Sequence, residues 1–186
     1  MLNIYTYDKK DPNKFSDYRY QMKKLEINHS GKGKNKITTI INLNEVSKDI
    51  GHPPDILIKA LAGKGSRYDS EKKFIKGTIS YDEIEKRLYD YIFDFVLCHN
   101  KPQILLKSED NKNNKEKCLK PETELYIDKN NIISKCNVCS GHTPITSNDK
   151  LKKSIINDMI KFISNNGNIK KKININIKET DFTKLF

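Results

Sequence analysis

Apolar positions along this chain change their spacing from one segment to the next, and the changes mark out the elements. LEINH (25–29) and ITTIIN (37–42) are rich in β-branched residues that partly alternate with polar ones. They predict two strands joined by the glycine-lysine loop GKGKNK. Val46 and Ile50 stand four apart in NEVSKDI (44–50) and predict one short helix. Pro53-Pro54 suits the next helix start, because proline lacks an N–H that the first turn leaves unpaired anyway. Ile56, Leu57, Ala60 and Leu61 then follow at helical spacing up to Gly63. SRYD (66–69) and KFIKG (73–77) predict a hairpin. Ser80 and Glu83 have the spacing of a capping box, with hydroxyl and carboxylate closing free backbone N–H groups. The helix they open puts Ile84, Leu88, Tyr91, Ile92 and Phe95 on one face. The order ββααββα predicts an α+β class, with a small mixed α/β domain over 25–97. Residues 1–24 are polar, hold Asp11-Pro12 and have no period, so a flexible N-terminal tail is expected there. A C-terminal helix is expected over 147–163. Residues 164–186 read as a basic Asn/Ile/Lys tail, either disordered or adding an edge strand through INI.

Composition gives this outline a direction. Lys plus Arg number 35 against 24 Asp plus Glu, a formal net charge of +11, and the charge is clustered. Such a chain is drawn to polyanions, nucleic acid first, with salt-sensitive affinity. The bias toward Lys, Asn and Ile also fits AT-rich coding, as in a parasite or a large virus. No run of 18 apolar residues is present, and MLNIYTYDKKDPNK lacks the apolar centre of a secretory signal. The expected location is the cytoplasm, the host's if the chain is viral. Four cysteines in that reducing compartment favour metal over disulfides.

Cys136 and Cys139 form CNVC, a pair whose thiolates can face one tetrahedral zinc ion. The alternatives are unrelated thiols or a redox pair. A second pair is interrupted. Between Cys98-His99-Asn100 and Cys118 lies KPQILLKSEDNKNNKEK (101–117), a Lys/Asn/Glu/Asp stretch with the composition of an inserted loop. Excising it restores a C-x2-C. The chain then reads as a four-cysteine zinc ribbon over 98–146, with two strands meeting at a turn at Asn130-Asn131. Cys98, Cys118, Cys136 and Cys139 would hold a structural Zn2+, and His99 is the substitute if Cys118 is misplaced. Loop-closure cost grows slowly with length, so an insertion inside a knuckle is tolerable.

DYRYQM (17–22) sets Arg19 between Tyr18 and Tyr20 in a chain that otherwise uses lysine almost throughout. Guanidinium is a planar fork of donors that never deprotonates, which suits charge spread over several oxygens. With GKG (31–33), HPP (52–54), FVLC (95–98), CLKPETEL (118–125) and CNVCSGHTP (136–144), this stretch resembles the N-terminal domain of eukaryotic translation initiation factor 5. The beta subunit of initiation factor 2 shares the ribbon and the α/β portion. The resemblance covers about 11–163, interrupted by 101–117. It implies a GTPase-activating protein for initiation factor 2 in the pre-initiation complex, contributing to start-codon recognition. Arg19 would be its arginine finger and Lys59 a supporting residue. Lys32, Lys34 and Lys36 would approach initiator tRNA or small-subunit ribosomal RNA. The chain would act as a monomer.

There are departures. The lysine that the family carries at position 37 is Ile37 here, and KALAGKGSRYD lacks the family's Phe-rich, Gly-Ala pattern. The stretch after 163 is too short for the family's C-terminal helical-repeat domain, so the expectation is a chain keeping the ribosome-facing half. No GxxxxGK[ST] occurs, so the chain is not expected to be a GTPase itself; the resemblance implies a GTPase activator instead, not an enzyme in its own right. The second reading is a non-catalytic adaptor or competitor resembling the beta subunit. The third, a zinc-ribbon nucleic-acid binder from transcription, ignores the α/β portion.

Overall fold

The computed structural model describes residues 2–4, 20–100 and 118–170. Its first pairing is antiparallel, between Leu2–Asn3 (β1) and Gln21–Met22 (β2), with Leu2 opposite Met22. The Ile4 N–H donates to the Tyr20 carbonyl at 2.8 Å, and Ile4, Tyr20 and Met22 are buried. The tail expected over 1–24 therefore has both ends in the fold, because the core takes up these side chains. Arg19 lies outside the described residues.

The α/β portion follows the expected order. Ile27–Ser30 (β3) and Ile37–Ile40 (β4) lead to Leu43–Ile50 (α1) and Pro54–Ala62 (α2). Tyr68–Asp69 (β5), Phe74–Lys76 (β6) and Tyr81–Phe95 (α3) complete it. The sheet is antiparallel throughout, in the order β3-β4-β6-β5. Asn42, 7% exposed, accepts from the Glu26 N–H and donates to the Lys24 carbonyl, which fastens the lead into β3. Ser80 caps α3 by accepting the Glu83 N–H at 3.3 Å. Only half of the expected box forms, since the Glu83 carboxylate pairs with Arg87 one turn on, at 2.5 Å.

The second portion has Thr123–Asp128 (β7), Asn131–Cys136 (β8), His142–Ile145 (β9), Lys150–Asn166 (α4) and Ile169–Lys170 (β10). Its antiparallel order is β10-β7-β8-β9. Lys129 and Asn130, both at positive φ, make the two-residue turn between β7 and β8. Two strands were expected over 98–146 and three form there, with β10 added beyond α4, among the described residues; the INI read as an alternative edge strand lies outside them. Pro144 hides β9 from a propensity reading, yet β9 is an edge strand, where a missing N–H costs no ladder bond. The helix expected over 147–163 runs later, from 150 to 166. Asp149 fixes its start by accepting the Lys152 N–H at 2.9 Å.

The core runs through both portions. Ile155, Met159 and Ile163, each one turn apart, form the buried stripe of α4. α4 packs against α2 on one side and against β7 and β8 on the other. Leu125 and Ile132 of the ribbon thus join Leu57, Leu61 and Leu88 in one cluster.

Candidate functional site

The four cysteines come together. Their sulfurs all lie within 4.8 Å of one another, with Cys98 Sγ 3.6 Å from Cys139 Sγ and Cys118 Sγ 3.9 Å from Cys136 Sγ. A tetrahedron of sulfurs about 2.3 Å from zinc has edges of about 3.8 Å. The two knuckles repeat one backbone. Cys98 N–H donates to the Lys120 carbonyl at 3.0 Å, and Cys136 N–H donates to the Gly141 carbonyl at 2.9 Å. The residue after the second cysteine has positive φ in both, 49° at Leu119 and 55° at Ser140. Asn100 and Cys118 meet as the excision of 101–117 requires, the Cys118 N–H donating to the Asn100 carbonyl at 2.9 Å.

Protonation in this cluster is uneven. Burial pushes the Cys98 thiol up, and it pushes the Cys118 thiol up to about 11; neighbouring sulfurs add to both. For Cys139 burial also opposes ionisation. The Asn100 amide, the Gly141 N–H and the Cys98 and Cys136 thiols outweigh it and hold Cys139 down at about 7. Of these three thiols only Cys139 is held low, whereas a bound cation would favour the thiolate form of its ligands. That donor set fits a soft divalent metal, with no ligand position left for substrate. His99 stands apart, with Nε2 on the Phe93 carbonyl at 2.5 Å and its ring edge-on to Phe93.

Gly141 makes the approach of the knuckles feasible. A Cβ there would lie 2.0 Å from the Asn100 side-chain nitrogen, which itself reaches Cys139 Sγ at 3.6 Å.

Lys32, Lys34 and Lys36 are exposed on the β3–β4 loop. Gly31, at φ 85°, brings the chain back so closely that a Cβ would meet the Asn35 carbonyl at 2.1 Å. The Gly77 N–H donates to the Lys36 carbonyl at 2.7 Å, pinning the loop base to the end of β6. Three cations and no acid stand together on this one pinned loop. Lys59 is engaged within the fold. Its ammonium pairs with the Asp158 carboxylate and donates to the Ser154 carbonyl at 3.3 Å, both on α4, and its side chain is 16% exposed.

Sequence reasoning missed a contact beside Arg19. The Tyr20 hydroxyl donates to the Glu122 carboxylate, and the Lys120 ammonium lies 5.8 Å from the Tyr20 ring centroid. Nothing local in the sequence signals a bond between residues 102 positions apart. His52, buried against the Tyr91 hydroxyl at 2.7 Å, is held neutral by burial at a pKa of about 3 and serves the core. Among the described residues, no helix is long and apolar enough to cross a membrane.

A family model described as a domain found in initiation factors 2B and 5 matches residues 10–113. The chain is 31% identical over 144 residues to eukaryotic translation initiation factor 5 of Caenorhabditis elegans, covering 75% of this chain and 29% of that protein. It is 29% identical over 150 residues to the factor of Dictyostelium discoideum, with 79% and 34% covered. With the Saccharomyces cerevisiae factor the identity is 25% over 145 residues, with 75% and 32% covered. The chain thus spans about a third of the length of the curated relatives it matches.

Proposed function

The chain belongs to the domain family found in initiation factors 2B and 5, with an N-terminal domain like that of initiation factor 5, and from that premise we propose that it is a translation initiation factor. It activates GTP hydrolysis by initiation factor 2 on the small ribosomal subunit and contributes to start-codon recognition, in the cytoplasm. Likeness to initiation factor 5 over three quarters of the chain carries this reading. Arg19 is the arginine finger. In phosphoryl transfer, charge spreads over the γ-phosphoryl oxygens, and an arginine supplied in trans accelerates hydrolysis by roughly 10³ to 10⁵. Lys32, Lys34 and Lys36 meet phosphates of initiator tRNA or ribosomal RNA. Lys59 supports the site from behind, by holding α2 to α4 through Asp158, rather than by facing the nucleotide. Cys98, Cys118, Cys136 and Cys139 bind one structural zinc ion.

A non-catalytic adaptor or competitor is the second reading. The commitment of Lys59 to Asp158 and the apolar Ile37, which opens β4 just after the basic loop, favour it. Single-turnover GTP hydrolysis by initiation factor 2 with initiator tRNA on the small subunit separates the two. Wild type should accelerate the reaction. Arg19→Ala and Arg19→Lys should bind equally well and lose roughly 10³-fold of the acceleration or more. Binding of wild type without acceleration would leave the adaptor.

A further inference from the structure

We infer that the outer face of the β3-β4-β6-β5 sheet binds single-stranded RNA, with a base stacked on Phe74 and the flanking phosphates on Lys76 and Arg67. This rests on the reading of Lys32, Lys34 and Lys36 as RNA contacts and extends it from the loop to the sheet. Side chains alternate along a strand, so the register separates the two faces. Ile40 and Ile75 belong to the core, and Thr38 beside them is fully buried. Their neighbours in sequence point the other way and form two rows across the strands. Ile37, Lys76 and Arg67 stand in one row, and Thr39, Phe74 and Asp69 in the next. Ile37 and Phe74 are half-buried, yet among the described residues neither joins the core cluster or packs against it.

The chemistry of this face selects its ligand. An aromatic ring open on a four-stranded antiparallel sheet suits an unstacked base, because every base has a flat π-face. Phe74 and Lys76 lie two residues apart on one side of β6, about 7 Å along the strand, which one nucleotide can span. Lys76 and Arg67 are exposed, and neither has an ion-pair partner among the described residues. Asp69 is the acid in these rows, on the edge strand, and its carboxylate accepts the Lys72 N–H at 2.8 Å. The Gly77 N–H holds the Lys36 backbone beside the end of β6. The cations of the loop and of the sheet are therefore contiguous, which favours a polyanion over an apolar protein surface. A duplex keeps its bases stacked inside and has none to offer Phe74, so the occupant is a single strand.

Fluorescence anisotropy with the full chain tests this. Phe74→Leu keeps the apolar bulk and removes the ring. Its affinity for a uridine oligomer of about 12 nucleotides should fall roughly fivefold to a hundredfold. Phe74→Tyr should bind as wild type does, and Phe74→Leu should leave the affinity for a duplex of the same length unchanged. Lys76→Ala and Arg67→Ala should each reduce the slope of log affinity against log salt by about 0.7. In the unaltered chain, an oligomer carrying iodouridine should crosslink to Phe74 on irradiation, which reads the contact without any substitution.

A crosslink pattern that omits Phe74 overturns the inference and leaves the face to another occupant. Unchanged binding by Phe74→Leu overturns it too, and so does an equal loss for duplex and single strand. If Lys32→Ala, Lys34→Ala and Lys36→Ala together then still weaken binding, the loop reading survives alone. If that triple variant also binds as wild type does, both readings fall.

Discussion

Cys136 and Cys139 stand three positions apart, Cys98 and Cys118 twenty, yet both pairs end in the same backbone. Each pair has a positive-φ residue after its second cysteine, and each first cysteine donates its N–H two residues past the second, to Lys120 or Gly141. The second knuckle closes as a tight turn between β8 and β9. The first closes across 101–117, between the end of α3 and the start of the ribbon. The residues flanking the sulfurs fix the geometry, and the chain length between them does not. The two differ in what they hold. The first starts directly from α3, whose buried Phe95 joins the main core, and so ties the cysteine cluster to the helices. The second reaches Glu122 through Asn137 and so ties the cluster to the N-terminal segment.

Breaking either knuckle should be equally severe. Cys98→Ser and Cys136→Ser each remove one of the four proposed ligands, and metal binding in such sites supplies folding free energy on the order of 10 kcal/mol. Both variants should lose stoichiometric zinc by native mass spectrometry, and amide exchange in β7 and β8 should accelerate to the level of local unfolding. A knuckle that kept its zinc after losing a cysteine would show that the two are not equivalent. Gly141→Ala sharpens the comparison where the knuckles meet. The added methyl collides with Asn100, and chemical denaturation should register a loss of about 1–3 kcal/mol. Replacing 101–117 with four residues such as Gly-Ser-Gly-Ser should have the smallest effect. Shortening that connection about fourfold stabilises by roughly 1 kcal/mol through loop closure alone. Zinc stoichiometry should be unchanged. A large loss of stability on that replacement would mean that the first knuckle, unlike the second, depends on the residues between its ligands.

Much of this was readable in the sequence because the signals are local. β3, β4, α1, α2, β5, β6 and α3 follow from apolar periodicity and from helix-start signals such as the Ser80 cap and Pro54 in the first turn. The ribbon follows from cysteine spacing once 101–117 is set aside. What stayed hidden depends on distant partners. Ile4 and Met22 look like parts of a polar tail until the core that receives them exists. Lys59 looks free on a helix face until Asp158 arrives from α4. The bond from Tyr20 to Glu122 joins residues with no shared local pattern. β9 escaped because Pro144 argues against a strand, and only its edge position makes it acceptable. β10 is two residues long and draws its pairing from β7.

The claim that both knuckles close on one ion is tested most directly by X-ray absorption at the zinc edge on the purified chain. The account predicts one zinc per chain with four sulfur neighbours at about 2.3 Å. Three sulfurs and one nitrogen would put His99 in place of Cys118, and would contradict the pairing of Cys98 with Cys118 on which the first knuckle depends.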